Sequence, residues 1–173
     1  MTLPVVAMPE YSQSAYRHGD YVAKYGVFPL GEEQIKKSEE TMDDAQPINA
    51  IAAEVRDFHI HNKVRYSFCA QMLQDLNEQP VDDIGIEWDP KKYPFEQLAT
   101  LEFEPQDSSL PEFRTWWDDR ITVNSWHGLK EHTPLGSTNR MRRVVYAESR
   151  KLRMQVNGYR YVETGIISTN GFS

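Results

Sequence analysis

A single tyrosine, Tyr146, lies among several arginines in the last quarter of the chain. A helix that begins near Ser137 would place Arg142, Tyr146, Arg150 and Arg153 along one face, because residues three, four, seven and eleven apart fall close together at about 3.6 residues per turn. Positive charges close to a phenol favour its ionised form and lower its pKa from the ordinary value of about 10. The spacing predicts a phenolate at neutral pH, which is a hard oxygen ligand for ferric iron.

An arginine and a tyrosine four residues apart are also common neighbours on a helix surface, so the longer pattern around them decides the interpretation. That pattern comprises Trp126-His127-Gly128-Leu129, Glu131-His132, Pro134-Leu135-Gly136-Ser137 and Asn139-Arg140. It resembles the catalase-related haem proteins, in particular the small catalase-like proteins of bacteria and fungi whose relatives include allene oxide synthases. In catalases an arginine lies four residues before the tyrosine that holds the haem iron, and Arg142 and Tyr146 match this pair.

The resemblance extends from about residue 14 to residue 155, through blocks that occur in the family's order. The upstream blocks are residues 14–25, 65–73 and 86–103. It implies an α+β fold built on an antiparallel catalase-type β-barrel with flanking helices, of which this chain would contain only the second half. The implied organisation is an N-terminal extension over residues 1–13, a catalase-like core over residues 14–156 and a C-terminal tail over residues 157–173.

The resemblance also implies a haem-dependent hydroperoxidase acting on hydrogen peroxide or on an organic or lipid hydroperoxide. Tyr146 would bind the iron of ferric haem b, Arg142 would polarise the phenolate, and Arg153 would help to neutralise the same region. Arg150 departs from the family pattern, in which histidine or glutamine is frequent. The family's distal histidine and asparagine precede every block matched here, so the resemblance implies a fragment, a split gene product, a decayed relative or a chain that works with another polypeptide. A distal-half polypeptide and a homo-oligomer are the candidate assemblies.

Two other functions remain open. The segment from Arg140 to Arg160 contains seven basic residues and a single acidic residue, Glu148, so it is also typical of a simple anion-binding surface. The chain is equally a candidate for a truncated, non-catalytic partner subunit, which would associate through an exposed sheet edge and the Trp116-Trp117 pair.

Composition favours one soluble domain. The 173 residues are 39% hydrophobic, which is enough for one core, and no apolar run reaches the length of a membrane span. The net charge of −7 argues against general nucleic-acid binding. A single cysteine, Cys69, permits no internal disulfide, which fits a cytoplasmic location.

Hydrophobic periodicity and turn residues predict where the helices and strands lie. Strands are expected over residues 20–29, 64–73 and 98–104, with a turn-rich segment over residues 77–94. Helices are expected over residues 31–42, 48–59, 111–119 and 137–156, and Asn157-Gly158 is a plausible stop for the last of them.

Three further side-chain groups carry hypotheses of their own. His59 and His61 would face one side, as a metal-binding pair must, only on a strand. His127 and His132 flank Glu131 and invite an acid-base role, although a structural hydrogen-bonding role fits the resemblance better. Cys69 is expected to be a small buried side chain and not a nucleophile.

Overall fold

Five strands form one open antiparallel sheet in the computed structural model, which describes residues 4–40, 49–120 and 124–158. The order across the sheet is β1-β3-β4-β5, and β2 also pairs with β3. The α+β class with an antiparallel sheet is therefore confirmed. The described residues do not close this sheet into a barrel, and the catalase-type half-barrel stays a prediction. The strands are β1 (Glu10–Tyr11), β2 (Tyr16–His18), β3 (Tyr21–Pro29), β4 (Val64–Met72) and β5 (Phe95–Phe103).

The described residues also form four α-helices, close to the ranges that the periodicity predicts. They are α1 (Glu32–Lys37), α2 (Ala50–His61), α3 (Pro111–Arg120) and α4 (Gly136–Asn157). Helix α1 ends earlier than predicted, where Ser38 donates its hydroxyl to the carbonyl of Ile35; residues 41–48, which include the predicted break, lie outside the described residues. No helix of the described ranges is both long enough and apolar enough to cross a membrane.

A small core fills one end of the sheet. Phe58 of α2 and Val64 of β4 are buried against Val6, with Val55 and Tyr66 packed beside them. Hydrophobic burial at this end attaches the N-terminal segment and α2 to β4.

The buried side chain of Gln34 connects three segments at the same end of the sheet. Gln34 of α1 is fully buried, donates from Nε2 to the carbonyl of Val6 at 3.1 Å, and accepts from the backbone N–H of Arg65 at 2.8 Å. These bonds join the N-terminal segment, α1 and β4 through one amide. Burial of an amide is tolerated because its hydrogen-bonding atoms are satisfied.

The turn-rich segment between β4 and β5 folds onto the sheet. Trp88 is buried at 1% exposure, and its indole N–H donates to the carbonyl of Pro80 at 3.2 Å. Gln71 of β4 donates from Nε2 to the carbonyls of Trp88 and Tyr93, at 2.9 and 2.8 Å. The segment is therefore held by specific hydrogen bonds to β4.

The edge of the sheet at β5 is exposed along almost its whole length. Leu98, Leu101 and Phe103 have exposed fractions of 46, 37 and 44%. An edge strand with unpaired backbone groups and exposed apolar side chains is a ready site for association.

We expect Gln34→Ala to lower the free energy of unfolding by about 1–3 kcal/mol, because the buried carbonyl of Val6 would lose its donor and the N–H of Arg65 would lose its acceptor. Urea denaturation followed by circular dichroism measures this loss. The control is Gln97→Ala on the exposed strand β5, which should change stability by less than about 0.5 kcal/mol. Equal effects of the two substitutions would show that the buried amide does not join these elements.

Candidate functional site

Helix α4 begins at a glycine that no other residue can replace without strain. Gly136 has a φ of +83°, and a Cβ built on it would lie 2.7 Å from the carbonyl oxygen of Val81. Positive φ and close backbone contact both favour glycine. The backbone conformation and the close contact at position 136 explain why the sequence pattern contains a glycine there.

The carboxylate of Asp82 caps the first turn of α4 from a neighbouring loop. Its Oδ1 accepts from the backbone N–H of Ser137 at 2.8 Å and from Arg140 Nη2 at 3.2 Å, and its backbone carbonyl accepts from the Ser137 hydroxyl at 3.2 Å. The first N–H groups of a helix lack partners within the helix, and an acidic group there is also favoured by the helix dipole. The loop after β4 therefore fixes where α4 starts.

Asn139 attaches α4 to the N-terminal segment. Its side chain is fully buried, and Nδ2 donates to the carbonyls of Leu135 and Ala15, at 2.8 and 3.2 Å. Its Oδ1 accepts from the Ser14 hydroxyl at 3.2 Å, and its backbone carbonyl accepts from the indole N–H of Trp126 at 3.0 Å. Trp126 and Asn139, which are distant members of the same sequence pattern, thus contact each other directly.

Arg142 joins this hydrogen-bonded group. Its Nη1 donates to the Ser14 hydroxyl at 3.0 Å and to Asn139 Oδ1 at 3.3 Å, and its Nη2 donates to Gln13 Oε1 at 3.3 Å. The guanidinium therefore reaches back toward the start of α4, as helical side chains tend to do. These bonds give Arg142 an anchoring role that the sequence did not reveal.

Tyr146 lies one turn further along α4 and is half-buried, as are Arg142 and Arg150, whereas Arg153 is exposed. The helix that the spacing predicts is present, and these residues follow its one face at the expected intervals. Within the described ranges the phenol oxygen of Tyr146 makes no hydrogen bond and its ring makes no aromatic contact. The oxygen is thus available as a ligand atom.

The phenol oxygen of Tyr146 is a suitable ligand atom for ferric iron, but none of the cavities described below lies beside it. Three cavities lined by described residues lie elsewhere: one beside Lys24 and Trp88, one beside Phe113 and Trp117, and one beside Lys37 and Glu54. Tyr146 lines none of the three. A flat apolar slot for a porphyrin beside Tyr146 would need walls beyond those that these cavities supply.

His132 lies beside Tyr25 and His18. Its Nδ1 lies 3.4 Å from the phenol oxygen of Tyr25, and His18 Nδ1 lies 3.1 Å from the same oxygen. Burial, followed by the charge of Tyr16, raises the pKa of Tyr25 above 10.0. The backbone beside His132 also runs along β2, where Arg17 N–H donates to the carbonyl of Thr133 at 2.9 Å.

The contacts among His18, Tyr25 and His132 were not predicted, because these residues come from three separate segments and share no spacing in the sequence.

The structure also shows where the two histidines of α2 and the cysteine lie. His59 and His61 lie at the end of helix α2 and not on a strand, so they do not share a face, and each ring nitrogen contacts a backbone carbonyl four residues earlier. Cys69 is buried as predicted, with its sulfur 3.1 Å from the Ser67 hydroxyl.

Models of known protein families give no match to this chain, and curated proteins give none either. The likeness to catalase-related proteins therefore rests on the residues of the sequence pattern alone.

We expect Asn139→Ala to lower the free energy of unfolding by about 1–3 kcal/mol, because it removes a buried amide and leaves Ser14, Ala15 and Arg142 with fewer partners. Chemical denaturation measures the loss, and hydrogen exchange should show faster opening of the first turns of α4. Ser149→Ala, at an exposed position of the same helix, is the control and should leave both measurements nearly unchanged. An unchanged exchange rate in Asn139→Ala would mean that other contacts hold α4 in place.

Proposed function

We propose that this chain is the proximal half of a catalase-like haem hydroperoxidase of the cytoplasm. Tyr146 binds ferric haem b, and a second polypeptide supplies the distal side of the pocket. The observation that carries this proposal is the half-buried phenol of Tyr146, whose oxygen has no partner in the described part of the chain although arginines precede and follow it on α4.

The anchoring of α4 supports a positioning role for its first turns. A metal-binding side chain must be held within about half an ångström of its productive place by its supporting contacts. The bonds of Asp82, Asn139 and Arg142 fix the start of the helix, and Tyr146 follows Arg142 by one turn. The fixed helix start thereby determines where the phenol points.

Three residues of this chain would contribute to binding. Tyr146 would hold the iron through its phenolate oxygen, while Arg142 and Arg153 would supply positive charge that attracts the haem propionates. Bound haem would supply the redox chemistry of hydroperoxide cleavage. The choice between hydrogen peroxide and an organic hydroperoxide would fall to groups on the distal side.

Titration of the full chain with hemin tests the proposal by absorption spectroscopy. We expect a ferric tyrosinate-type spectrum in the wild type that disappears in Tyr146→Phe, because only the phenol oxygen is removed. Tyr21→Phe is the matched control, since Tyr21 is 67% exposed on β3 and should not affect the spectrum.

The charge of Arg142 can be separated from its anchoring bonds in the same titration. Arg142→Lys keeps the charge and should retain more haem affinity than Arg142→Gln. A wild-type spectrum without the tyrosinate band, or an identical band in Tyr146→Phe, would overturn the assignment of Tyr146 as the ligand.

A second candidate function is a non-catalytic partner subunit. The exposed side chains of β5 favour it, and so does α4, where Met141, Val145, Leu152 and Val156 form an exposed apolar stripe. Large apolar side chains grouped on one surface mark interaction sites in soluble proteins. This function requires no haem, so a negative hemin titration would leave it standing.

We expect the chain to self-associate through β5, and Leu101→Lys to shift the equilibrium toward monomer, because a charge would replace an apolar contact at the interface. Analytical ultracentrifugation over a range of concentrations measures the association constant. Thr100→Lys is the matched control, since neighbouring residues on a strand face opposite sides of the sheet. A monomeric wild type at high concentration would exclude a homo-oligomer through this surface.

A further inference from the structure

A cavity of about 420 Å³ lies between the sheet and the segment that precedes β5. Aromatic side chains of Tyr11, Trp88 and Phe95 form its walls, and Ile84 and Ile86 lie at its rim with exposed fractions of 49 and 46%. Pockets of about 300–1,000 Å³ with mostly apolar walls and a few polar groups are typical of small-molecule sites. This cavity lies within that range.

Contacts with neighbouring residues hold the aromatic side chains of the cavity in place. Phe28 packs against Phe95 and Tyr11 with ring centroids 5.1 and 5.7 Å apart. Gly26 makes this packing possible, because a Cβ at that position would lie 2.7 Å from a ring carbon of Phe28. Trp88 is held by its bond to Pro80. A rigid site loses less entropy when a ligand binds.

Lys24 of β3 brings a positive charge into this apolar surrounding. Its Nζ lies 4.7 Å from the centroid of the Trp88 ring and makes no hydrogen bond or ion pair with any described residue. Burial lowers the pKa of Lys24, and the carboxylate of Glu87 partly opposes this effect. Lys24 is half-buried, so its ammonium has lost part of its hydration, and a bound anion would replace the lost interactions.

We propose that this cavity binds a small aromatic monocarboxylate, with the carboxylate on Lys24 Nζ and the ring between the aromatic walls and the two isoleucines. Contact with the rings of Tyr11 and Phe95 supplies the apolar part of the recognition, while the buried Trp88 ring lies beneath Lys24. One ammonium matches one carboxylate, whereas Glu87 at the same site would repel a doubly charged phosphate. The proposal is independent of haem and of Tyr146.

Isothermal titration calorimetry of the full chain with 2-naphthoate tests this proposal. We expect binding by the wild type and a loss of about tenfold or more in affinity in Lys24→Met, which removes the charge and keeps most of the apolar stem. Glu87→Gln should bind about two- to fivefold more tightly, because it removes a repulsive charge. Lys91→Met, at an exposed lysine that does not line the cavity, is the control and should bind like the wild type.

Two measurements on the wild type keep the test decisive if a variant fails to fold. The uncharged analogue 2-naphthamide should bind at least about tenfold more weakly than the carboxylate. Affinity for 2-naphthoate should also fall as the pH rises through the lowered pKa of Lys24, that is, below 10.5. Equal binding of the amide and the carboxylate, no binding by the wild type at millimolar concentration, or weaker binding by Glu87→Gln would each overturn the proposal.

Discussion

The position of the candidate site depends on one buried amide, that of Asn139. Its two N–H groups and its oxygen are all used, so the side chain fits only one placement of α4 against residues 14 and 15. A helix of 22 residues that is fixed at its first turns carries every later side chain to a defined place. The orientation of Tyr146 is therefore a consequence of contacts made nearly two turns earlier, and the loop that carries Asp82 reinforces them.

Local sequence signals located the four helices and the three longest strands, but not the short strands β1 and β2. The prediction of a helix over residues 137–156 is confirmed within one residue at each end, because an apolar and basic periodicity is followed by Gly158, which adopts a φ of +71°. Strands β3 and β4 lie close to their predicted ranges, although their buried residues do not alternate, and Ser67 and Gln71 are among the buried residues of β4. The start of β5 at Phe95, three residues earlier than expected, is set by pairing with Gln71, and such pairing partners cannot be read from one strand alone.

The contacts of Arg142 could not be predicted, because its acceptors Gln13 and Ser14 are more than 120 positions away in the sequence. Spacing on a helix shows which residues share a face but not which way a long side chain turns. Helical Cα–Cβ bonds tilt toward the N-terminus, and the bonds of Arg142 to Gln13, Ser14 and Asn139 accordingly carry its guanidinium away from Tyr146, the residue with which it forms the catalase signature.

The apolar stripe of α4 constrains what a partner must cover. Val145 precedes Tyr146 by one residue, and neighbouring residues on a helix are about 100° apart, so the stripe and the tyrosine occupy different faces. Val156 and Leu152 are 75 and 61% exposed, and most helical stability comes from packing an apolar face. A polypeptide that completed a pocket over Tyr146 would leave the apolar stripe exposed to solvent unless it also contacted the face of α4 that carries the stripe. The proximal-half proposal thus demands a partner that contacts α4 on two faces, whereas a partner subunit without haem needs to contact only one.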